Sequence, residues 1–209
     1  MDGNIQRAWN GRDIDITAKV VCKPCNEGWM SNLENRHAKE AMTDLIIGDK
    51  DFTISHMQAQ AVARFAFKTA IVVDHMKRDG DLFFPRSVRH QFKHSLKIPR
   101  NVQMWLCGYL PMGSGNLLPF WYEKVFSTGE HLKMYVCTYS VGHFVFQAVC
   151  ADVIGVPSFS PHESFEYLSI PFWPTLPSDM QWPPADVLRT KQDFERFAGR
   201  WEKITLASA

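Results

Sequence analysis

The sequence predicts an α+β protein in which helices precede an antiparallel β-sheet. Two changes of pattern along the 209 residues indicate this class. Apolar residues recur with the ~3.6-residue period of a helix in much of the chain up to about residue 100, and with period two from residue 101 onward. The links between the later apolar segments, such as "STGE" and "VG", are rich in turn-forming residues. We therefore expect successive strands to form an antiparallel meander.

The first elements predicted are a strand and a helix around a short cysteine-containing stretch. Residues 14–21 alternate between apolar and polar side chains, which is typical of a strand. The first helix is expected to begin at Ser31, because Ser31 and Glu34 form a capping-box pattern in which each side chain can accept a hydrogen bond from an unpaired backbone N–H. Gly48 is expected to end this helix.

Two further helices are predicted before the sheet. Ser55 and Gln58 form a second capping box, and the run that follows is apolar nearly all round, as in a central, buried helix. The third helix is expected to begin at Pro85, a residue favoured in a first turn, and to end near Lys97.

The second half of the chain predicts strands followed by a proline-rich segment. Four strands are expected in "NVQMWLCGYL", "LPFWYEKVF", "HLKMYVCTYSV" and "HFVFQAVCADVI". The last fifty residues carry many prolines and are expected to wrap over the sheet, with a short helix near 190–200. We divide the chain into 1–48, 49–100 and 101–209, and expect 49–209 to form one domain.

Composition favours a soluble, cytoplasmic protein. The charged residues of the first twenty positions exclude the apolar core of a signal peptide, and the longest apolar runs are far too short to cross a bilayer. A net charge of +1 gives no overall electrostatic preference for nucleic acid.

The five cysteines are odd in number and widely spaced, which argues against a disulfide framework. Cys107, Cys137 and Cys150 lie in apolar segments and are predicted to be small buried side chains.

The remaining two cysteines, Cys22 and Cys25, have the spacing of a metal-binding turn. A Cys-x-x-Cys turn can offer two thiolates to one ion, and zinc accepts tetrahedral sulfur coordination. Such a pair supplies half of a structural site, so two more ligands are needed. His37, twelve residues after Cys25, is a candidate third ligand. The alternatives are a redox-active pair or two unrelated thiols, and we favour metal binding.

The stretch "VCKPCNEGWMSNLE" resembles the second half of the HNH nuclease motif. More closely, it is similar to a group of bacterial HNH-like proteins with the signature CxxCNxGWMSxLE, in which Asn26, Gly28 and Trp29 occupy motif positions. The resemblance is specific over residues 19–36. It implies a zinc-bearing hairpin in which Cys22 and Cys25 are the second ligand pair of a structural zinc ion.

The family's remaining active groups precede the matched segment. The resemblance implies an upstream Cys-x-x-Cys and a catalytic His that activates water beside a divalent ion such as Mg²⁺. Residues 1–21 contain neither Cys nor His. We therefore expect a degenerate or truncated HNH-like protein, a non-catalytic zinc-knuckle module that binds nucleic acid or a protein partner. One alternative is an active DNA endonuclease whose catalytic half lies upstream of Met1 or is supplied by unrecognised residues. Another is a metal-free structural or interaction protein. Trp29 is expected to pack the turn against the next helix rather than to stack on a base.

A basic segment follows the second helix. Residues 82–122 carry a local charge of +5 and no acidic residue, whereas the rest of the chain carries −4. The basic residues are Arg86, Arg89, Lys93, Lys97 and Arg100, and His90 and His94 are interspersed among them. Their spacing places most of them on one helix face, which could follow the phosphates of DNA or RNA. The alternative is a solvated surface, or one that pairs with acidic residues such as Glu163 and Glu166.

Overall fold

The α+β class is confirmed in a computed structural model of the protein. The structure describes residues 20–77, 80–110, 115–125, 131–152, 158–161, 163–176, 180–199 and 201–205. Within these ranges, helices cover both faces of a largely antiparallel sheet. The predicted strand 14–21 falls mostly outside the described residues, and Val20 and Val21 form a turn rather than a strand. None of the described helices combines the length and apolar character needed to cross a membrane.

The helical region after the cysteines begins earlier than the sequence predicts. It consists of α1 (Lys23–Cys25), two π-helical segments (Asn26–Met30 and Leu33–Ala38) and α2 (Lys39–Ile47). The expectation that the helix begins at Ser31 is therefore wrong. Cys22 adopts an extended N-cap conformation and Pro24 lies in the first turn, an arrangement that favours a helix start. Gly28 then interrupts the helix with non-helical backbone angles.

The predicted capping box of this helix does not form, because both of its side chains have other partners. Ser31 already has helical backbone angles, and its hydroxyl accepts a hydrogen bond of 3.0 Å from Asn35 Nδ2. Glu34 pairs with Lys68, a residue of the next long helix that is only 9% exposed. A buried ammonium group requires such a partner. The predicted end at Gly48 is confirmed, since Gly48 adopts the left-handed conformation.

The next two helices are α3 (His56–Asp74) and α4 (Arg86–Ser95). The capping box at the start of α3 is confirmed, with Ser55 and Gln58 each accepting from the other's backbone N–H. Most of α3 is buried, as its apolar sequence predicts. Helix α4 is shorter than expected, because Leu96 adopts the left-handed conformation and ends it before Lys97. Pro85 is its N-cap rather than its first helical residue.

The four strands predicted after residue 101 are confirmed. They are β2 (Val102–Tyr109), β3 (Asn116–Val125), β4 (His131–Val141) and β5 (Phe144–Asp152), and they follow a short β1 (Phe52–Ile54). The spatial order is β3-β4-β5-β2. Only β3, β4 and β5 form the expected meander, because they are neighbours both in sequence and in the sheet. Strand β2 instead lies beside β5, in a Greek-key arrangement. Its position depends on a long-range pairing that local turn signals do not reveal.

The proline-rich end of the chain adds short elements around this sheet. They are β6 (Ser158–Pro161), α5 (Glu163–Glu166), β7 (Ile170–Trp173), β8 (Met180–Trp182), β9 (Val187–Leu188), α6 (Lys191–Gly199) and β10 (Trp201–Thr205). Strands β7 and β9 both pair with β2, whereas β8 pairs with β1 and β10 with β6. The final helix expected near 190–200 is therefore confirmed as α6, whereas β7 and β9 lie beside β2 in the sheet.

The sheet separates two apolar cores, because successive side chains of each strand point to opposite faces. Tyr135 and Cys137 of β4 face the core formed with α2, α3 and α4. Met134 and Val136 face the smaller core formed with α5 and α6. The first core includes α2, so this helix shares apolar packing with the segments that follow it.

Buried Asp74 joins the end of α3 to the sheet and to the start of α4. Its carboxylate accepts hydrogen bonds from the backbone N–H groups of Phe83 (3.1 Å) and Phe84 (3.0 Å) and from Trp121 Nε1 (2.9 Å). Asp74 is fully buried, and these three donors satisfy it. The loop before α4 is thereby fixed against α3 and β3.

We predict that Asp74→Ala lowers the free energy of unfolding by about 3–5 kcal/mol, because three buried donors lose their acceptor. Urea denaturation followed by tryptophan fluorescence measures this change. Asp44→Ala removes an exposed carboxylate from α2 and is the matched control, with an expected change within about 0.5 kcal/mol. A loss below about 1 kcal/mol in Asp74→Ala would show that the network is not required for stability.

Candidate functional site

The cysteine turn brings Cys22 and Cys25 together at the start of the helical region. The carbonyl oxygen of Cys22 accepts hydrogen bonds from the backbone N–H groups of Cys25 and Asn26, both 3.0 Å long. These bonds close the turn around Lys23 and Pro24. The Cys25 side chain also acts on the Cys22 thiol across this turn. One tight turn therefore presents two sulfur atoms side by side, as the Cys-x-x-Cys spacing predicts.

The surroundings of Cys22 favour its thiolate form. The hydrogen bond from the Cys25 side chain is the main cause of a lowered pKa at Cys22, followed by the backbone N–H of Cys25. Desolvation of Cys22 opposes this shift. The positive charge of Lys93 makes a smaller contribution that lowers the pKa further. Because a thiolate is both the metal ligand and the nucleophile, this environment suits metal binding or redox exchange.

The other three cysteines have the opposite environment. Cys107, Cys137 and Cys150 are fully buried, which confirms the prediction that they are apolar packing residues. Burial raises the pKa of Cys107 to about 12 and that of Cys137 to about 12, and the pKa of Cys150 is also raised. Only Cys22 and Cys25 are accessible among the five, since Cys22 is exposed and Cys25 is half-buried.

Two adjacent thiols would supply half of the coordination shell of a structural zinc ion. Soft, adjacent and accessible sulfur donors fit zinc. Among the described residues, however, no third His, Cys, Asp or Glu side chain joins them in a group that could hold a metal ion. His37 is exposed on the second π-helical segment and is not brought into such a group. Its role as a ligand stays a prediction.

Trp29 connects the cysteine turn to helix α4. Its ring packs edge-to-face on Phe92, with ring centroids 5.8 Å apart, and Phe92 is 1% exposed. Trp29 therefore packs the turn against a helix, but not against the next helix of the chain as expected. The helix is α4, which the sequence does not place beside the turn. The indole N–H of Trp29 is buried and has no hydrogen-bond partner among the described residues. The other motif positions differ in role, since Asn26 is exposed and Gly28 lies at the helix kink.

Helix α4 presents its basic side chains outward because Phe92 anchors the opposite face. Arg86, Lys93, Lys97 and Arg100 are exposed, with the last two beyond the end of the helix. Arg89 is half-buried, and its Nη1 lies 3.3 Å from His75 Nε2. No carboxylate within the described side chains forms an ion pair with these basic residues, and exposed Glu166 does not contact them in this way. The Glu163 side chain lies outside the described side chains.

Lys93 places this basic surface beside the two thiols. Its charge acts on Cys22 although the two residues are 71 positions apart. The sequence suggests the thiol pair and the basic helix, but it does not suggest that they lie close together. Their proximity depends on the contact between Trp29 and Phe92. The site is therefore composite, with an open dithiol turn and an adjacent surface of positive charge. Comparison of the chain with protein-family models, curated proteins and solved structures finds no match.

The exposure of the two groups of cysteines predicts their reactivity. With limiting iodoacetamide near neutral pH, Cys22 and Cys25 should be alkylated in the folded protein, whereas Cys107, Cys137 and Cys150 should react only after unfolding. Peptide mass spectrometry identifies the labelled sites.

Lys93→Ala should slow the alkylation of Cys22, because loss of the positive charge raises the pKa of Cys22 and reduces the thiolate fraction. Lys97→Ala, which removes a charge beyond the end of α4, is the control and should leave the rate unchanged. Equal rates in the two variants would contradict the electrostatic contribution of Lys93.

Proposed function

We propose that this protein is a non-catalytic nucleic-acid-binding module whose cysteine turn binds zinc through Cys22 and Cys25. The observation that carries the proposal is the position of Lys93, which belongs to a basic helix without ion-pair partners among the described side chains and whose charge acts on Cys22. A zinc ion on the turn would hold it in a single conformation next to this surface. The zinc role of the turn also agrees with the resemblance of residues 19–36 to the HNH motif.

The charge distribution supports binding to a phosphate backbone. The basic side chains of α4 and of the residues directly after it are not neutralised by carboxylates of the described part of the chain. Lys and Arg side chains that contact phosphates displace condensed counterions, which favours association at low salt. Because these contacts involve only the phosphate backbone of the nucleic acid, we expect the affinity to depend little on base sequence.

Binding is better supported than cleavage. Hydrolysis of a phosphodiester needs a general base within reach of the attacking water. Among the described residues, no His, Asp or Glu joins the two thiols to form a metal centre at which such a water could be activated. A supercoiled-plasmid assay with Mg²⁺ or Mn²⁺ distinguishes the two functions. We expect no nicking, and nicking that is lost in Cys22→Ser would favour the endonuclease alternative.

We predict that Arg86→Ala/Lys93→Ala weakens binding to a labelled DNA duplex and makes it less dependent on salt. The slope of log Kobs against log salt should decrease by about 0.9 for each phosphate contact removed. Fluorescence anisotropy over a series of salt concentrations measures this slope. Lys39→Ala/Lys50→Ala removes the same charge from exposed positions outside α4 and serves as the control. An unchanged slope in the α4 variant, or an equal decrease in the control, would exclude α4 as the binding surface.

We also predict that the protein, purified under reducing conditions without added metal, contains zinc. Elemental analysis measures the content, and Cys22→Ser or Cys25→Ser should lose it, because either substitution leaves one thiolate at the turn. Cys107→Ser alters a buried cysteine and is the control for the loss of a thiol elsewhere. Zinc-free wild-type protein that takes up no zinc on titration would contradict the metal-binding role.

A further inference from the structure

We propose that the zinc site is completed by a second copy of the chain, so that Cys22 and Cys25 of two protomers bind one ion. This inference rests on the proposed zinc-binding role of the turn and adds the source of the missing ligands. The product would be a symmetric dimer with four thiolates around the metal. A two-fold axis through the ion would make the two half-sites equivalent.

The first argument is the incompleteness of the half-site. Structural zinc sites use four protein ligands, and the turn supplies two. Within the described residues, no side chain of the same chain completes the group. A second turn of the same kind provides two equivalent thiolates without any change in the fold.

The second argument is the accessibility of the turn. Cys22 is exposed, as are Lys23, Pro24 and Asn26 around it, and Cys25 is half-buried. The turn therefore lies at a surface that another protein molecule can approach. A metal site buried within one chain would have its ligands covered by that chain. Here the described residues leave the thiols open.

The third argument is the apolar and charged character of the surrounding surface. Val20, two positions before Cys22, is 40% exposed and belongs to a small group of large apolar side chains that are accessible in the described structure. Contact between two copies would cover Val20.

Four thiolates around one zinc ion carry a net charge of −2, and Lys93 of each copy offers a compensating positive charge.

The energy of such a dimer would come mainly from the metal. Zinc binding to a complete structural site is strongly favourable, so a small protein interface is sufficient. The dimer would also bring two α4 surfaces into one particle. Two basic surfaces held together can contact more phosphates than one, which increases the affinity for a long duplex.

Zinc titration of the metal-free protein tests the inference. The full chain, kept reduced with a phosphine, is titrated with Zn²⁺ and its mass is followed by light scattering after gel filtration. We expect the 24.0 kDa monomer to double in mass, with one zinc ion bound per two chains. EDTA should restore the monomer, which distinguishes a metal-linked dimer from a disulfide-linked one. Cobalt titration should give a thiolate charge-transfer band that saturates at the same half-equivalent.

Two surface variants separate the dimer from the metal site itself. Val20→Asp retains both thiols and should weaken the zinc-linked dimer by at least about tenfold, because a carboxylate would replace an apolar contact in both copies. Met57→Asp alters another exposed apolar side chain, which is 82% exposed at the start of α3, and should leave the dimer unchanged. Equal dimerisation of the two variants would overturn the proposed contact surface.

The outcomes also separate this inference from the proposed function. One zinc ion per 24.0 kDa monomer would overturn the shared site and retain the zinc-binding turn, with ligands from within the chain. No binding of zinc would overturn both. A doubled mass without zinc, or one insensitive to EDTA, would overturn the metal-linked dimer.

Discussion

The contact between Trp29 and Phe92 is the interaction on which the composite site depends. Phe92 packs edge-to-face on Phe67 of α3 with ring centroids 4.8 Å apart, and Phe67 packs in the same way on Phe84 at 5.3 Å. Phe84 in turn contacts Tyr135 of the sheet at 5.7 Å. This series of rings connects the cysteine turn to the sheet. Aromatic pairs of this geometry contribute about 0.5–1.5 kcal/mol each beyond the area they bury.

The same packing explains how the positive charge of Lys93 comes to lie near the thiol of Cys22. Helix α4 has one apolar side chain that is almost fully buried, and this anchor orients its basic residues outward. The loop before α4 is held by Asp74, so the helix cannot move far from α3. Lys93 is thereby held close enough to Cys22 to favour its thiolate. Apolar packing thus adds the positive charge of Lys93 to a turn whose electrostatics are set mainly by the hydrogen bonds from Cys25.

The sequence predicts the locally determined elements well. The capping box at Ser55 forms as its pattern predicts, and the short apolar segments of β4 and β5, separated by a turn, are sufficient to define strands. The capping box at Ser31 is equally good as a pattern, yet Glu34 pairs with Lys68 and Pro24 favours an earlier helix start. Long-range pairings are not visible in local patterns. Strand β1 pairs with β8 through Thr53 and Gln181, which are 128 positions apart. For the site, the cysteine spacing and the basic helix can be predicted, but their proximity cannot.

The central claim is that Cys22 and Cys25 hold a zinc ion at the surface next to α4. X-ray absorption spectroscopy at the zinc edge tests this claim most directly, because it measures the atoms bound to the metal. For the zinc-loaded, reduced protein, we predict a shell of sulfur atoms at about 2.3 Å. A first shell that contains only nitrogen and oxygen, at about 2.0 Å, would contradict the account.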